Sequence, residues 1–232
     1  MSNITIRKSP RARRLRLQIT HEGKMTVVVP RWAPDDAVRQ FVHNHEGWIQ
    51  KHLAKIKAQQ ARHPKPQYRT GDTFYFLGDP LTLVVNPSAA KRPTLTIRGD
   101  ELVITLRRDI SKSDGVKTVK RLLESFYKRK ATEVIHDRLE FFNQHYQFRY
   151  GRVTFRNQKS RWGSCSSAGN LNFNWRLAMA PIEAIDYVVV HELCHLAELN
   201  HSPRYWLFVS QTIPHHKKWR KWIRDNHYLL TI

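Results

Sequence analysis

The eleven residues from His191 to His201, reading His-Glu-Leu-Cys-His-Leu-Ala-Glu-Leu-Asn-His, constrain this chain more than any other stretch. The first five are H-E-x-x-H. On an α-helix, residues four apart share a face about one turn along. His191 and His195 can therefore aim two imidazoles at one ion, at the roughly 2 Å that a zinc–nitrogen bond needs. Glu192 is next to a ligand without being one. It can reach a water at the ion and take its proton as general base.

The flanking sequence supports a helix there. Pro181-Ile182-Glu183 places a proline and an early acid at the start. Ile182, Ile185, Val188, Val189 and Leu196 form an apolar stripe at helical spacing, and the apolar run Tyr187 to Val190 leads straight into His191. A third ligand must come from beyond the helix. His201 is the first choice: Asn200 tolerates the left-handed conformation that ends a helix, and Ser202-Pro203 reads as the cap and first residue of another. A turn at Asn200 would swing His201 back to the ion. The alternative third ligand is Glu198, one turn after His195. The His-x3-His-x5-His spacing matches that of metzincins, but Glu198 stands where their glycine would be and no methionine follows.

Charge bears on the partners. The 232 residues carry 40 Lys and Arg against 19 Asp and Glu, a net charge of +21. That favours anionic partners, namely nucleic acid, nucleotides or acidic surfaces, although the charge is spread too evenly to locate a site. No apolar window approaches the length of a membrane helix, so no membrane partner is expected. Met1 to Arg14 is basic without an apolar core, so a secretory signal is not expected. Cys165 and Cys194 make no disulfide framework, and a reduced, cytoplasmic protein is the expectation. Oligomeric state is not legible.

Along the chain, Leu15 to Ile19 and Met25 to Val29 alternate around the turn Glu22-Gly23-Lys24, a hairpin signal. Arg7, Lys8, Arg11, Arg13, Arg14 and Arg16 crowd its first half. A helix is expected from Pro34 to about Ala58, with His45 and His52 as packing or boundary residues. Gln59 to Gln67 reads as a linker. Short strands follow at Thr73–Leu77, Leu81–Asn86, Thr94–Arg98 and Glu101–Arg107, with a loop from Asn86 to Pro93. A long helical pattern occupies about Asp114 to His145. Strands at Arg152–Asn157 and Leu171–Trp175 are expected to close a hairpin around the polar loop Gln158 to Ser166, which would lie near the cleft. Such a strand could hold an extended peptide by main-chain pairing.

Cys194 reads as a packing residue, and Cys165 first as a buried small residue, with a thiol near the metal and a redox-sensitive position as alternatives. Pro203–Gln211 is expected to be helical. So is His216–Asn226, where basic residues alternate with Trp219 and Trp222. That pattern suits single-stranded nucleic acid or tryptophans packed inward. His215 and His216 read as adventitious metal binders. The fold class is α+β. An N-terminal β-rich subdomain with an inserted helix spans 1–110, and a C-terminal helical and β-hairpin domain carrying H-E-x-x-H spans 111–232.

Several stretches together resemble one family. They are Arg161-Trp162-Gly163-Ser164-Cys165, Asn172 to Leu177, Pro181, Asp186-Tyr187-Val188-Val189, His191 to His195, Asn200-His201-Ser202 and Trp206. With these, the sequence resembles the YgjP-like metallopeptidases, a zincin group related to the SprT-like proteases. The resemblance implies a metal-dependent hydrolase with a zincin-like C-terminal domain. It puts Zn²⁺ on His191, His195 and His201 with Glu192 as base. Tyr205 stands where phenylalanine is expected, which makes it first a packing residue. The resemblance leaves the substrate open between a peptide or protein and an anionic nucleotide, since hydrolysis of nucleotide pyrophosphate bonds has also been attached to the group. A nucleic-acid-associated protease or binding module is the third reading.

Overall fold

The computed structural model describes residues 4–20, 23–89, 92–158 and 161–232. Glu22 of the expected first turn lies outside these residues, as do Ala90 and Lys91 of the loop before Pro93, and Lys159 and Ser160 of the loop after Gln158. The fold class is α+β. The chain divides into two units, Met1–Lys65 and Pro66–Ile232. The division falls inside the stretch read as a linker, not after residue 110.

In the first unit, β2 (Arg16–Ile19) and β3 (Met25–Pro30) form the expected antiparallel pair. Strand β1 (Ile4–Ser9) adds to the other edge of β3, parallel to it. Val27, Val29, Ala33 and Val38 make the buried centre. The single helix expected after Pro34 is two helices, α1 (Asp35–Asn44) and α2 (Glu46–Arg62). The cause is local. His45 Nδ1 lies 2.8 Å from the Phe41 carbonyl, the acceptor that a continuing helix would give to the His45 backbone N–H. That N–H bonds the Val42 carbonyl instead, at 3.1 Å, which tightens the turn. His45 is thus a boundary residue.

The second unit is built on α3 (Lys112–Tyr146). Ser111 caps it by accepting from the Asp114 backbone N–H, and Gln147 ends it in the left-handed conformation. Its buried face runs Val119, Leu123, Phe126, Tyr127, Ala131, Ile135, Leu139 and Phe142, the three- and four-residue spacing of a core stripe. A four-stranded sheet shares its core: β4 (Thr73–Phe76), β5 (Asp79–Ser88), β6 (Thr94–Arg98) and β7 (Glu101–Arg107), in the order β4-β5-β7-β6. This shared core is why the chain does not divide at 110.

A second sheet holds β8 (Val153–Arg156), β9 (Gly163–Cys165) and β10 (Leu171–Asn174), in the order β8-β10-β9. Here the expected hairpin is corrected. Strands β8 and β10 run parallel, and the antiparallel partner of β10 is β9, within the stretch read as a loop. Asn174 secures the connection: its backbone N–H donates to the Trp162 carbonyl and its side-chain amide to the Gln158 carbonyl, both at 2.8 Å.

From β10 a 3-10 turn, Trp175–Met179, leads into α4 (Ile182–Cys194). Pro181 is the cap residue rather than the first turn of this helix. Almost every residue of α4 from Ala184 to Cys194 is buried. Asp186 meets Arg138 of α3 in a two-pronged ion pair, with Nη2 donating to Oδ2 at 2.9 Å. Burial pushes the Asp186 carboxyl above its ordinary range, and Arg138 opposes that. Two more helices, α5 (Pro203–Thr212) and α6 (His216–Asn226), complete the unit. Among the described residues no helix is long and apolar enough to cross a membrane.

The β4–β5 turn fixes the start of α4. Leu77 and Gly78 both have positive φ, 51° and 94°, as a tight hairpin turn requires. Their backbone N–H groups donate to the carbonyls of Ala178 and Met179 at 2.9 and 3.3 Å. A Cβ on Gly78 would lie 3.0 Å from the Pro181 Cα. Gly78→Ala is therefore expected to lower stability by about 1–3 kcal/mol. The urea midpoint should fall; an unchanged midpoint would contradict this clasp.

Candidate metal centre

Helix α4 delivers His191 and Glu192 as its last turn closes. His195 is its C-terminal cap and still has helical dihedrals, φ −67° and ψ −16°, so its ring stays above that of His191. The ring centroids lie 4.9 Å apart. The chain then unwinds through bonds from Leu196 to Leu193 and from Glu198 to Cys194. The expected left-handed turn at Asn200 is absent: no positive φ occurs there. The return is made because the helix stops at Cys194, and the next helix starts at Ser202, whose Oγ accepts from the Tyr205 backbone N–H at 3.2 Å.

This path brings His201 to the other two rings. Its centroid lies 5.0 Å from that of His191 and 4.7 Å from that of His195. One ligand atom from each of the three histidines falls within 4.8 Å of the others. His191 Nε2 and His201 Nε2 face each other at 3.2 Å, close to the roughly 3.3 Å that separates two nitrogens bonded to one tetrahedral zinc. Glu198 is not part of the cluster. Its backbone carbonyl lies 3.1 Å from His195 Nδ1, which leaves His195 Nε2 for the centre.

The surroundings fix these rings and disfavour the protonated form of two of them, His191 and His201. Burial first, then His195, His201 and Arg220, pushes the His191 imidazole down to about 3. Burial and the same His195 and Arg220 charges lower His201. A neutral imidazole is the form that ligates a metal. Tyr205 is fully buried, and its hydroxyl donates to the His191 carbonyl at 2.9 Å. Its ring stacks on His195 with centroids 4.5 Å apart. Trp206 stacks on His201 at 5.6 Å and on His216 at 5.4 Å. His216 is buried and packs against that tryptophan, which corrects its reading as an adventitious metal binder. Trp219 and Trp222 pack against the core rather than standing free.

Glu192 is only 3% exposed. Its Oε2 has no hydrogen-bond partner among the described residues. Burial raises its carboxyl to about 8, opposed by the Arg161 charge and by a hydrogen bond from the Cys165 backbone. Strand β9 lies directly against it. A Cβ on Gly163 would come within 2.7 Å of both Cγ and Cδ of Glu192. This role of Gly163 was missed in the sequence, where the only signal was an isolated glycine, which in a strand marks close approach. Two ring nitrogens face each other near a buried carboxyl oxygen that has no hydrogen-bond partner among the described residues. Three imidazole nitrogens within reach of one point are donors that hold a divalent cation, so the donor set fits a metal. The cysteines stand outside it. Cys194 is buried, 3.6 Å from the Tyr146 hydroxyl, and burial raises its thiol to about 11. Cys165 is half-buried, and burial and Glu192 raise it.

The sequence model of the YgjP-like metallopeptidase domain matches residues 13–226. The chain belongs to the YgjP-like family. A search of curated proteins returns no match for it. Membership makes the chain a metallopeptidase-family hydrolase, and the matched stretch contains the whole histidine cluster and Glu192. In this family member Gly163→Ala is expected to displace Glu192 and cost about 1–3 kcal/mol of stability. The three atoms nearest such a Cβ all belong to Glu192, so bound metal per chain should stay the same by elemental analysis. Loss of the metal from this variant would contradict the separate placing of Glu192 and the three rings.

Proposed function

We propose that the chain is a zinc peptidase in which His191, His195 and His201 hold the ion and Glu192 is the general base. The supporting observation is the position of Glu192: a buried carboxyl with a free oxygen, pressed between the histidine helix and the edge strand β9. When bound, zinc supplies a Lewis acid that stabilises negative charge on the carbonyl oxygen of the substrate.

The chain's own residues do the rest. Among the described residues no strand pairs with the outer edge of β9, so an extended peptide can add to it by main-chain hydrogen bonds. Glu192 Oε2 takes a proton from the attacking water. The water oxygen bonds to the carbonyl carbon, the carbon–nitrogen bond breaks, and Glu192 returns the proton to the leaving nitrogen. The buried site keeps that proton from bulk solvent. Tyr205 stays protonated, because burial first, and nearby Cys194 and Glu192, raise its phenol far above the ordinary range. It orients the His191 backbone and its ring supports His195.

Glu192→Gln is expected to keep the metal and lower peptide turnover by at least about a hundredfold, the lower range for a lost general base. His191→Ala is expected to lose the metal and the activity together. The assay is cleavage of a peptide or unfolded-protein substrate, run beside pyrophosphate release from nucleoside triphosphates. Undiminished turnover in Glu192→Gln would sink the assignment. Nucleotide hydrolysis without peptide cleavage would move the substrate class to nucleotides.

A further inference from the structure

A cavity of about 770 Å³ lies on the β8-β10-β9 sheet. Strand alternation sorts the two faces of that sheet. Leu171 and Phe173 are fully buried in the core. Thr154, Asn172 and Ser164 belong to the opposite face. Thr154 Oγ1 donates to Asn172 Oδ1 at 3.0 Å, and Ser164 is the cross-strand partner of Asn172. Arg152 and Arg156 lie two residues either side of Thr154 and so share its face. Arg161, entering β9, completes the lining.

Among the described residues no acidic side chain lines this cavity, and no ion pair involves any of the three arginines. Three guanidiniums over a floor of hydroxyls and amides suit an anionic group, because their forked donors match carboxylate geometry. The cavity is also tied to the chemistry. Gly163, which packs against the Glu192 side chain, lies in β9 between the lining residues Arg161 and Ser164, and the backbone of Cys165, another lining residue, hydrogen-bonds Glu192. Cavity and base therefore lie on either side of the same edge strand. Successive side chains of a peptide added to β9 would point alternately to those two sides.

We propose that this cavity is a specificity subsite that takes an acidic side chain, Asp or Glu, of the peptide substrate; it rests on the peptidase reading above. The lining favours a carboxylate over a nucleic acid or nucleotide. None of the described residues that line it is aromatic, so they offer no stacking platform of the kind that unpaired bases use.

The test uses the full chain loaded with zinc. Cleavage sites in a peptide library are read by mass spectrometry. Matched peptides are then made with Glu, Gln or Lys at the enriched position. The Glu peptide is expected to exceed the Gln peptide about tenfold in kcat/KM, chiefly through KM, as a charge-assisted contact implies. The ratio should shrink as salt is raised. In R152Q/R156Q it should fall to near one. In R156E the preference should swing from Glu towards Lys, which loss of structure alone would not produce. Equal cleavage of the Glu and Gln peptides by the wild-type chain would overturn the subsite while leaving the peptidase intact. So would an acidic preference that survives in R152Q/R156Q. No cleavage of any peptide with zinc bound is a different result, and it would remove the peptidase reading and the subsite together. Nucleoside triphosphate turnover, or oligonucleotide binding, that is lost in R152Q/R156Q without any acidic preference in peptides would overturn it as well.

Discussion

Glu192 is kept out of water between α4 and β9, and much of the second unit follows from what that burial demands. A buried ionised carboxyl costs several kcal/mol unless charge or hydrogen bonds compensate it. Here the protein supplies little: a backbone bond from Cys165 and the Arg161 charge. Burial wins, and the carboxyl is raised to about 8. Beside it, three imidazoles converge, with the Nε2 atoms of His191 and His201 3.2 Å apart. One cation would bind the nitrogens and return Glu192 to its charged, proton-accepting form.

The scaffold is arranged to hold this combination. Before His191, helix α4 is apolar on nearly all sides, so it can be enclosed by α3, α5, α6 and β9. Asp186 is the buried polar exception in that stretch, and Arg138 of α3 answers it. Gly163 lets β9 approach as closely as Glu192 requires. On the other side, Tyr205 and Trp206 of α5 stack on His195 and His201, so ring orientation is set by packing of large, stiff side chains.

Much of this was legible in the residues. The H-E-x-x-H stretch, its apolar approach and the Ser202-Pro203 cap located α4, α5 and the three rings, because helical periodicity and capping are local signals. The long stripe from Val119 to Phe142 located α3 for the same reason. What was not legible depended on partners distant in sequence or on competition for one acceptor. The parallel pairing of β8 with β10 depends on β9 taking the other edge, and a three-residue strand of Gly-Ser-Cys has no alternation to reveal it. The break at His45 arises from a single side chain capturing the Phe41 carbonyl. The return of His201 was expected from a left-handed Asn200. It comes instead from an early end to α4, where His195 turns its Nδ1 to the Glu198 carbonyl. The net charge of +21 gave no position, yet three of its arginines gather over one polar sheet face.

The central claim is that one ion sits on three imidazoles beside Glu192, with neither cysteine bound. X-ray absorption at the zinc edge of the purified protein tests it most directly. The account predicts a first shell of nitrogen and oxygen only, with three imidazoles at about 2.0–2.1 Å and a further oxygen. A sulfur scatterer at about 2.3 Å, which would bring Cys194 or Cys165 onto the metal, would contradict it.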